Sequence, residues 1–148
     1  MSDGPIQIRD LVVPVDGSPS SKEALALACF LAKRNKGRVY AVYVIEVARM
    51  MPLDAEMTEE AQRGEEVLAE AESLAEELDY RDNVFGELLQ ARDAAHAVVD
   101  EAVERGVSAI VLGVSYSRNE GSAEDTNLQY VLKNAPCQVI VCRSAAHE

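Results

Sequence analysis

A chain of 148 residues with a formal charge of −12, 48% of it apolar and 27% charged, predicts one soluble globular domain over residues 1–148 with enough chain to bury a core. The acidity excludes a broad electrostatic grip on nucleic acid or on an anionic membrane surface. Cys29, Cys137 and Cys142 are odd in number and lack CxxC spacing, which supports neither a disulfide framework nor a zinc site.

After a polar start, "IRDLVVPVD" (8–16) is a β-branched run stopped by Pro14, Asp16 and Gly17, a buried strand ending in a turn. "SPSSKEALALACFLAKRNKG" (18–37) then offers Ser18 as an N-cap, Pro19 at the first helical position and Gly37 as the stop, with Leu25, Ala28 and Ala32 on one face. "RVYAVYVIEV" (38–47) is almost continuously apolar, as a parallel strand covered on both faces should be. A loop follows, and a long helix is expected from Asp54 to Leu78. Its inward stripe is Met57, Ala61, Gly64, Leu68, Ala71, Ala75 and Leu78, and its glutamates form a wet face.

Asn83 to Gln90 reads as a third strand. "RDAAHAVVDEAVERG" (92–106) reads as a helix with Asp93 as cap, Ala95, Val98, Val99, Ala102 and Val103 inward, and Gly106 as C-cap. "VSAIVLG" (107–113) is a fourth strand, followed by a loop and a helix of about two turns. "CQVIVCR" (137–143) is the fifth strand, on which Cys137 and Cys142 face opposite sides. No signal peptide or long apolar run interrupts this pattern, so a cytoplasmic protein with no direct membrane association is expected.

Strands alternating with helices build a doubly wound α/β sheet, in which ligands bind beyond the carboxyl ends of the strands where strand order reverses. Asp16, Glu46 and Gly113 are therefore the expected wall of a site. A carboxylate at Asp16 suits a ribose hydroxyl or an adenine amine, and it equally suits an Asx-turn beside Gly17. His96 and His147 have no partners at metal spacing, and neither a nucleophile elbow nor a Walker loop occurs. No catalytic residue and no metal ligand is expected, and the chain does not read as an enzyme.

Three segments, "DLVVPVDGSPSSKEALALA", "GVSAIVLG" and "VLKNAPCQVIVCR", together resemble the universal stress protein family over nearly the whole chain. The resemblance implies an α/β fold of the adenine nucleotide alpha hydrolase-like type, with five parallel strands in order 3-2-1-4-5 and helices on both faces. It also implies a homodimer, commonly paired through the last strand, here Cys137 to Arg143. In ATP-binding members, Gly-x-x-Gly, nine residues and then Gly-Ser or Gly-Thr join the fourth strand to the last helix. Anchored at "NAPC", Gly113 matches the first glycine, Tyr116 replaces the second, and Asp125 replaces the glycine before Thr126, with eight intervening residues, Ser117 to Glu124. By resemblance Asp16 meets adenosine, Val44 offers backbone to adenine, and Gly113, Val114, Thr126 and Asn127 line the phosphates.

Tyr116 adds bulk where bare backbone is needed. Asp125 at the helix start gains ~0.3–1 kcal/mol from the helix dipole in the place of a phosphate. It repels a triphosphate by ~1 kcal/mol per charge pair at 4 Å in water. Arg118 is the cation in the loop that offsets this. A second register makes Gly121-Ser122 the family Gly-Ser, with "SAED" as the capping box in place of "TNLQ". The expected helix start is Thr126. The expected function is a cytoplasmic stress-response or regulatory homodimer that acts through protein partners and does not bind ATP tightly. The alternative is an adenine-nucleotide switch, with ATP as cofactor and at most weak ATPase activity.

Overall fold

The computed structural model describes residues 8–116 and 121–144. The first strand, β1 (Leu11–Pro14), is followed by helix α1 (Pro19–Lys33), strand β2 (Val39–Glu46) and helix α2 (Thr58–Glu77). A 3₁₀ turn at Arg81–Asn83 leads into β3 (Val84–Ala91), α3 (Ala94–Arg105), β4 (Ala109–Val114), α4 (Ala123–Asn134) and β5 (Gln138–Arg143). All pairings are parallel and the strand order is β3-β2-β1-β4-β5, the arrangement expected from the resemblance.

β1 is the centre of the molecule. Leu11, Val12 and Val13 are fully buried although they point alternately to opposite faces, which is why the run is continuously apolar. On one face Leu11 and Val13 join α1 and α2 through Ala24, Leu25, Ala28, Val67, Leu68 and Ala71. On the other, Val12 joins α3 and α4 through Val98, Val99, Ala102, Leu128 and Val131. Cys142 packs on the first side and Cys137 on the second, as their spacing requires.

Several boundaries differ from expectation. α2 starts at Thr58 rather than Asp54, because the carbonyls of Leu53 and Ala55 are taken by the Gln90 side-chain amide (2.9 and 3.1 Å) instead of a helical ladder. α1 ends at Lys33, and the Gly37 N–H returns to Ala32 O at 2.9 Å. α4 is a turn longer than expected. Val103 is not inward but 60% exposed: it lies a further 100° around the helix from Ala102. The buried place is taken by Glu101, which accepts from Arg105 Nε at 2.9 Å. That guanidinium also pairs with Glu87 and lies 4.5 Å from the Tyr40 ring centroid.

The two faces of α1 make a direct test of this core. Leu25 is buried and Phe30 is 64% exposed on the same helix. Leu25→Ala is expected to cost about 2–5 kcal/mol in urea unfolding, and Phe30→Ala, although it removes the larger side chain, to stay within about 0.5 kcal/mol.

Candidate functional site

The N–H groups of Leu11 and Val15 donate to β2, at Arg38 O (2.8 Å) and Val42 O (2.9 Å). The alternate residues, Val12 and Pro14, therefore face β4. Pro14 has no N–H to give, and β1–β4 pairing stops at Val12↔Ile110. The two strands part, and a cleft of about 320 Å³ opens at their carboxyl ends, where strand order reverses. That volume lies at the small end of the roughly 300–1,000 Å³ of ordinary ligand sites.

Asp16, Val44, Gly113, Val114 and Asn127 all line this cleft. Thr126 does not, and Tyr116 lies outside the lining, 54% exposed under the Arg143 guanidinium, which sits 5.0 Å from its ring centroid. Glu46 is turned away as well. Its Oε2 accepts from the Ala94 N–H at 2.9 Å, which caps α3 together with Asp93, the acceptor of the His96 N–H at 3.0 Å.

Asp16 takes the Asx-turn role at the rim of the cleft. Its Oδ1 accepts from the Ser18 N–H at 2.9 Å in an Asx-turn, and its own N–H donates to Ser21 Oγ at 3.3 Å. Ser18 then caps α1 by accepting from the Ser21 N–H at 3.2 Å. Burial is the largest influence on the Asp16 carboxyl and raises its pKa. Hydrogen bonds from the Ser18 side chain and backbone, from Ser21 and from its own backbone outweigh that and hold the carboxyl below its ordinary value.

Val44 contributes its backbone. Because Val42 O points toward β1, the N–H and C=O of Val44, two residues on, point the same way but beyond the end of β1, over the cleft. Gly113 is glycine for a packing reason: a Cβ there would stand 2.2 Å from Ser20 O, at the first turn of α1.

The start of α4 departs from expectation. Ser122 is the N-cap: its Oγ accepts from the Asp125 N–H at 3.1 Å, and its carbonyl accepts from Thr126 N at 2.9 Å. Gly121 takes a left-handed φ of 82°, and its N–H donates to Asp125 Oδ2 at 3.1 Å. The helix thus begins at Gly121-Ser122, one turn before Thr126, which lies exposed on the second turn. The reason is that a glycine suits the left-handed position and that Ser122 and Asp125 together satisfy two backbone donors.

Asp125 therefore closes the cap, and a different carboxylate enters the cleft. Glu124 turns back across the opening, with Oε2 accepting from the Ser115 N–H and Oε1 from Ser115 Oγ, both at 3.0 Å. Glu124 was not among the expected site residues; the "SAED" register is the signal that places it at the second helical position, facing the strand end. Arg118, Ser117 and His147 lie outside the described residues.

Among the described residues no three His, Cys, Asp or Glu side chains gather closely enough to hold a metal. His96 Nδ1 lies 3.0 Å from Asp93 Oδ1, and the ring stacks on Tyr130 outside the cleft. None of the thiols is poised as a nucleophile. Burial pushes Cys29 up to about 11 against a small opposing pull from Lys33, and burial also raises Cys137 and Cys142. No helix among the described residues is long and apolar enough to cross a membrane.

The fold and cleft define a doubly wound α/β protein with one small-molecule-sized opening at its switch point. The chain belongs to the universal stress protein family, which it matches over residues 7–143. It is 30% identical over 147 residues to a universal stress protein of Methanocaldococcus jannaschii, covering 95% of this chain and 85% of that one. Among solved structures it is similar to the universal stress protein UspA from Lactobacillus plantarum. That match has a TM-score of 0.73 and 22% identity, covering 94% of this chain and 100% of the other. It is also similar to the universal stress protein from Archaeoglobus fulgidus in complex with dAMP, with a TM-score of 0.67 and 22% identity, covering 93% and 98%. At these identities the two structures share the fold.

The helix start can be tested by stability. Ser122→Ala is expected to cost about 0.5–2 kcal/mol in chemical denaturation, and Thr126→Ala to leave stability within about 0.5 kcal/mol. The Asp16 carboxyl supplies a pH test. A carboxyl held below its ordinary value of 3.8 stabilises the fold above that value, and the contribution disappears as pH falls through the folded-state value. The stability gap between wild type and Asp16→Asn is therefore expected to be full at neutral pH and to close progressively below about pH 4.

Proposed function

We propose that this chain is a regulatory universal stress protein, a single domain in the cytoplasm, that works as a homodimer through protein partners and does not depend on ATP. It is not proposed to be an enzyme. The observation that carries the reading is the Glu124 carboxylate on the Ser115 N–H and Oγ. Donors at the end of β4, facing the start of α4 where a phosphate group would gain from the helix dipole, already hold an anion. Hydrogen bonds to a charged acceptor contribute ~1.5–3 kcal/mol each. A triphosphate entering the cleft loses those bonds and also meets repulsion of ~1 kcal/mol per charge pair at 4 Å in water, more where water is thin.

β5 supports the dimer. It is the last strand in the order, its outer edge faces no other strand among the described residues, and Val141 on it is 42% exposed. An unpaired edge of six residues with an apolar centre, Val139 to Cys142, is a template for strand pairing, and two copies related by a two-fold axis close it.

The alternative reading, an adenine-nucleotide switch with feeble ATPase activity, is favoured by two observations. Asp16, Val44, Gly113, Val114 and Asn127 gather around one cleft, and the Archaeoglobus fulgidus relative was solved with dAMP.

Purified protein, denatured and chromatographed, is expected to release no adenine nucleotide, and calorimetry with Mg-ATP to show no submillimolar binding. Light scattering at micromolar concentration is expected to give a dimer that Val141→Glu converts to monomer. Submillimolar ATP binding abolished by Asp16→Ala establishes the switch instead, and a wild-type monomer overturns the dimer.

A further inference from the structure

We propose that the flank between β3 and α3 is a docking groove for a basic amphipathic helix of a protein partner. That helix completes the layer that α3 leaves unfinished over the edge strand. The inference rests on the reading above that the chain acts through protein partners, and it names the surface and the chemistry they use.

A parallel strand in a doubly wound sheet needs a helix on each face. β3 has one on its first face, where Leu88 joins the α2 core and a Cβ on Gly86 would meet Leu68 Cδ2 at 3.3 Å. On its second face stand Phe85, Glu87 and Leu89. There α3 turns Val98, Val99 and Ala102 toward β1 and β2, into one cluster with Val12, Tyr40 and Val42. Phe85 is left 43% exposed beside the Tyr40 ring, with 5.8 Å between centroids. Between Leu89 and the outer flank of α3 runs a groove of about 620 Å³, with Leu53, Ala97, Asp100, Glu101 and Glu104 in its walls. From Phe85 to Leu89 is ~13 Å of strand, and apolar anchors at i, i+4 and i+7 of a helix cover ~11 Å.

The loop between β2 and α2 closes one end of the groove. Arg92 donates to the carbonyls of Val47 (3.3 Å) and Met51 (2.8 Å), and Gln90 to those of Leu53 and Ala55. The loop is fixed through its backbone, while Met50, Met51 and Leu53 stand exposed. An apolar rim preorganised in this way costs a partner little ordering entropy on binding. Charge then selects the partner. Asp93, Asp100, Glu101 and Glu104 line the groove, against Arg49 and Arg92. Arg92 is committed to the loop carbonyls, and Arg105 already neutralises Glu101. Asp100 and Glu104, one turn apart and exposed, have no ion-pair partner among the described residues. Lysines or arginines along one flank of a partner helix meet them. A second copy of this chain, at a formal −12, brings the wrong sign.

The probe is a fluorescein-labelled synthetic helix of about 18 residues, with leucines at i, i+4 and i+7 and lysines on the flanks. One control peptide scrambles the same residues, and another carries glutamates in place of the lysines. Fluorescence anisotropy with the full chain is expected to show the probe binding at least about ten-fold more tightly than either control. Phe85→Ser, and separately Asp100→Lys with Glu104→Lys, are each expected to weaken it about ten-fold. Glu65→Lys with Glu66→Lys makes the same charge change on the exposed face of α2 and is expected to weaken it less than about two-fold. The charge reversal on α3 lies on the surface, so it tests the groove even if Phe85→Ser unfolds. If the α2 reversal weakens binding as much as the α3 reversal, the attraction belongs to the whole acidic surface and the proposal is overturned. Equal binding of the scrambled peptide overturns it too. If Phe85→Ser, and not Val141→Glu, converts the dimer to monomer in light scattering, the occupant is a second copy, and both this assignment and the β5 pairing fall. If binding ignores every groove variant while the protein remains a dimer without ATP affinity, this inference falls and the reading above stands.

Discussion

The structure depends on a four-residue strand whose last residue cannot donate a hydrogen bond. β1 is paired on both sides and buried on both faces, so its apolar run fixes the two helical layers. Pro14 then withholds the N–H that would continue the ladder to β4, while Val15 still donates to Val42 O. β2 runs on to Glu46 and β4 to Val114, past the point where β1 has left the sheet. The cleft is the gap so produced. The reversal of strand order beside β1 sets the place of the opening, and Pro14 ends the β1–β4 ladder at its mouth.

Two turns furnish that gap, and both work by side chains that mimic backbone. Asp16 and Ser18 satisfy the N–H groups at the start of α1, and Ser122 and Asp125 satisfy those at the start of α4. The α1 turn is pressed against β4 so closely that position 113 tolerates no Cβ. Gly113 is therefore explained by packing alone, and a glycine at that place carries no information about phosphate binding by itself. The information lies in what occupies the neighbouring N–H, and Ser115 gives its N–H to Glu124.

Much of the fold was legible because it rests on local chemistry. Ser18 with Pro19, Asp93, and Gly106 at a φ of 62° are caps whose partners lie within one turn, and sequence alone locates them. The strand order was legible only through the family resemblance. What escaped depends on distant contacts. Glu46 caps a helix 48 residues away. Val103 is outward while Glu101 takes the buried place beside it, held by Arg105, which itself reaches Glu87 and the Tyr40 ring. The helix start escaped for another reason: "SAED" and "TNLQ" are equally good capping boxes. Gly121 breaks the tie through its left-handed φ, and that choice moves the interfering carboxylate from residue 125 to residue 124.

That shift changes the physical meaning of the altered loop. A carboxylate at Asp125 folded into its own helix cap affects a phosphate only at a distance. A carboxylate at Glu124 holds the strand-end donors directly and charges the cleft wall. The same loop touches the open edge of the sheet. Val114 is in register with Arg143, whose guanidinium covers Tyr116, and Ser144 donates its N–H to Val114 O at 3.0 Å. Ser115 thus lies between the last paired residue of β4 and the ring held by β5. Glu124 and Ser144 thus hold neighbouring backbone groups at the end of β4, the Ser115 N–H and the Val114 carbonyl. The cleft wall and the edge strand therefore meet at one short, hydrogen-bonded segment at the end of β4.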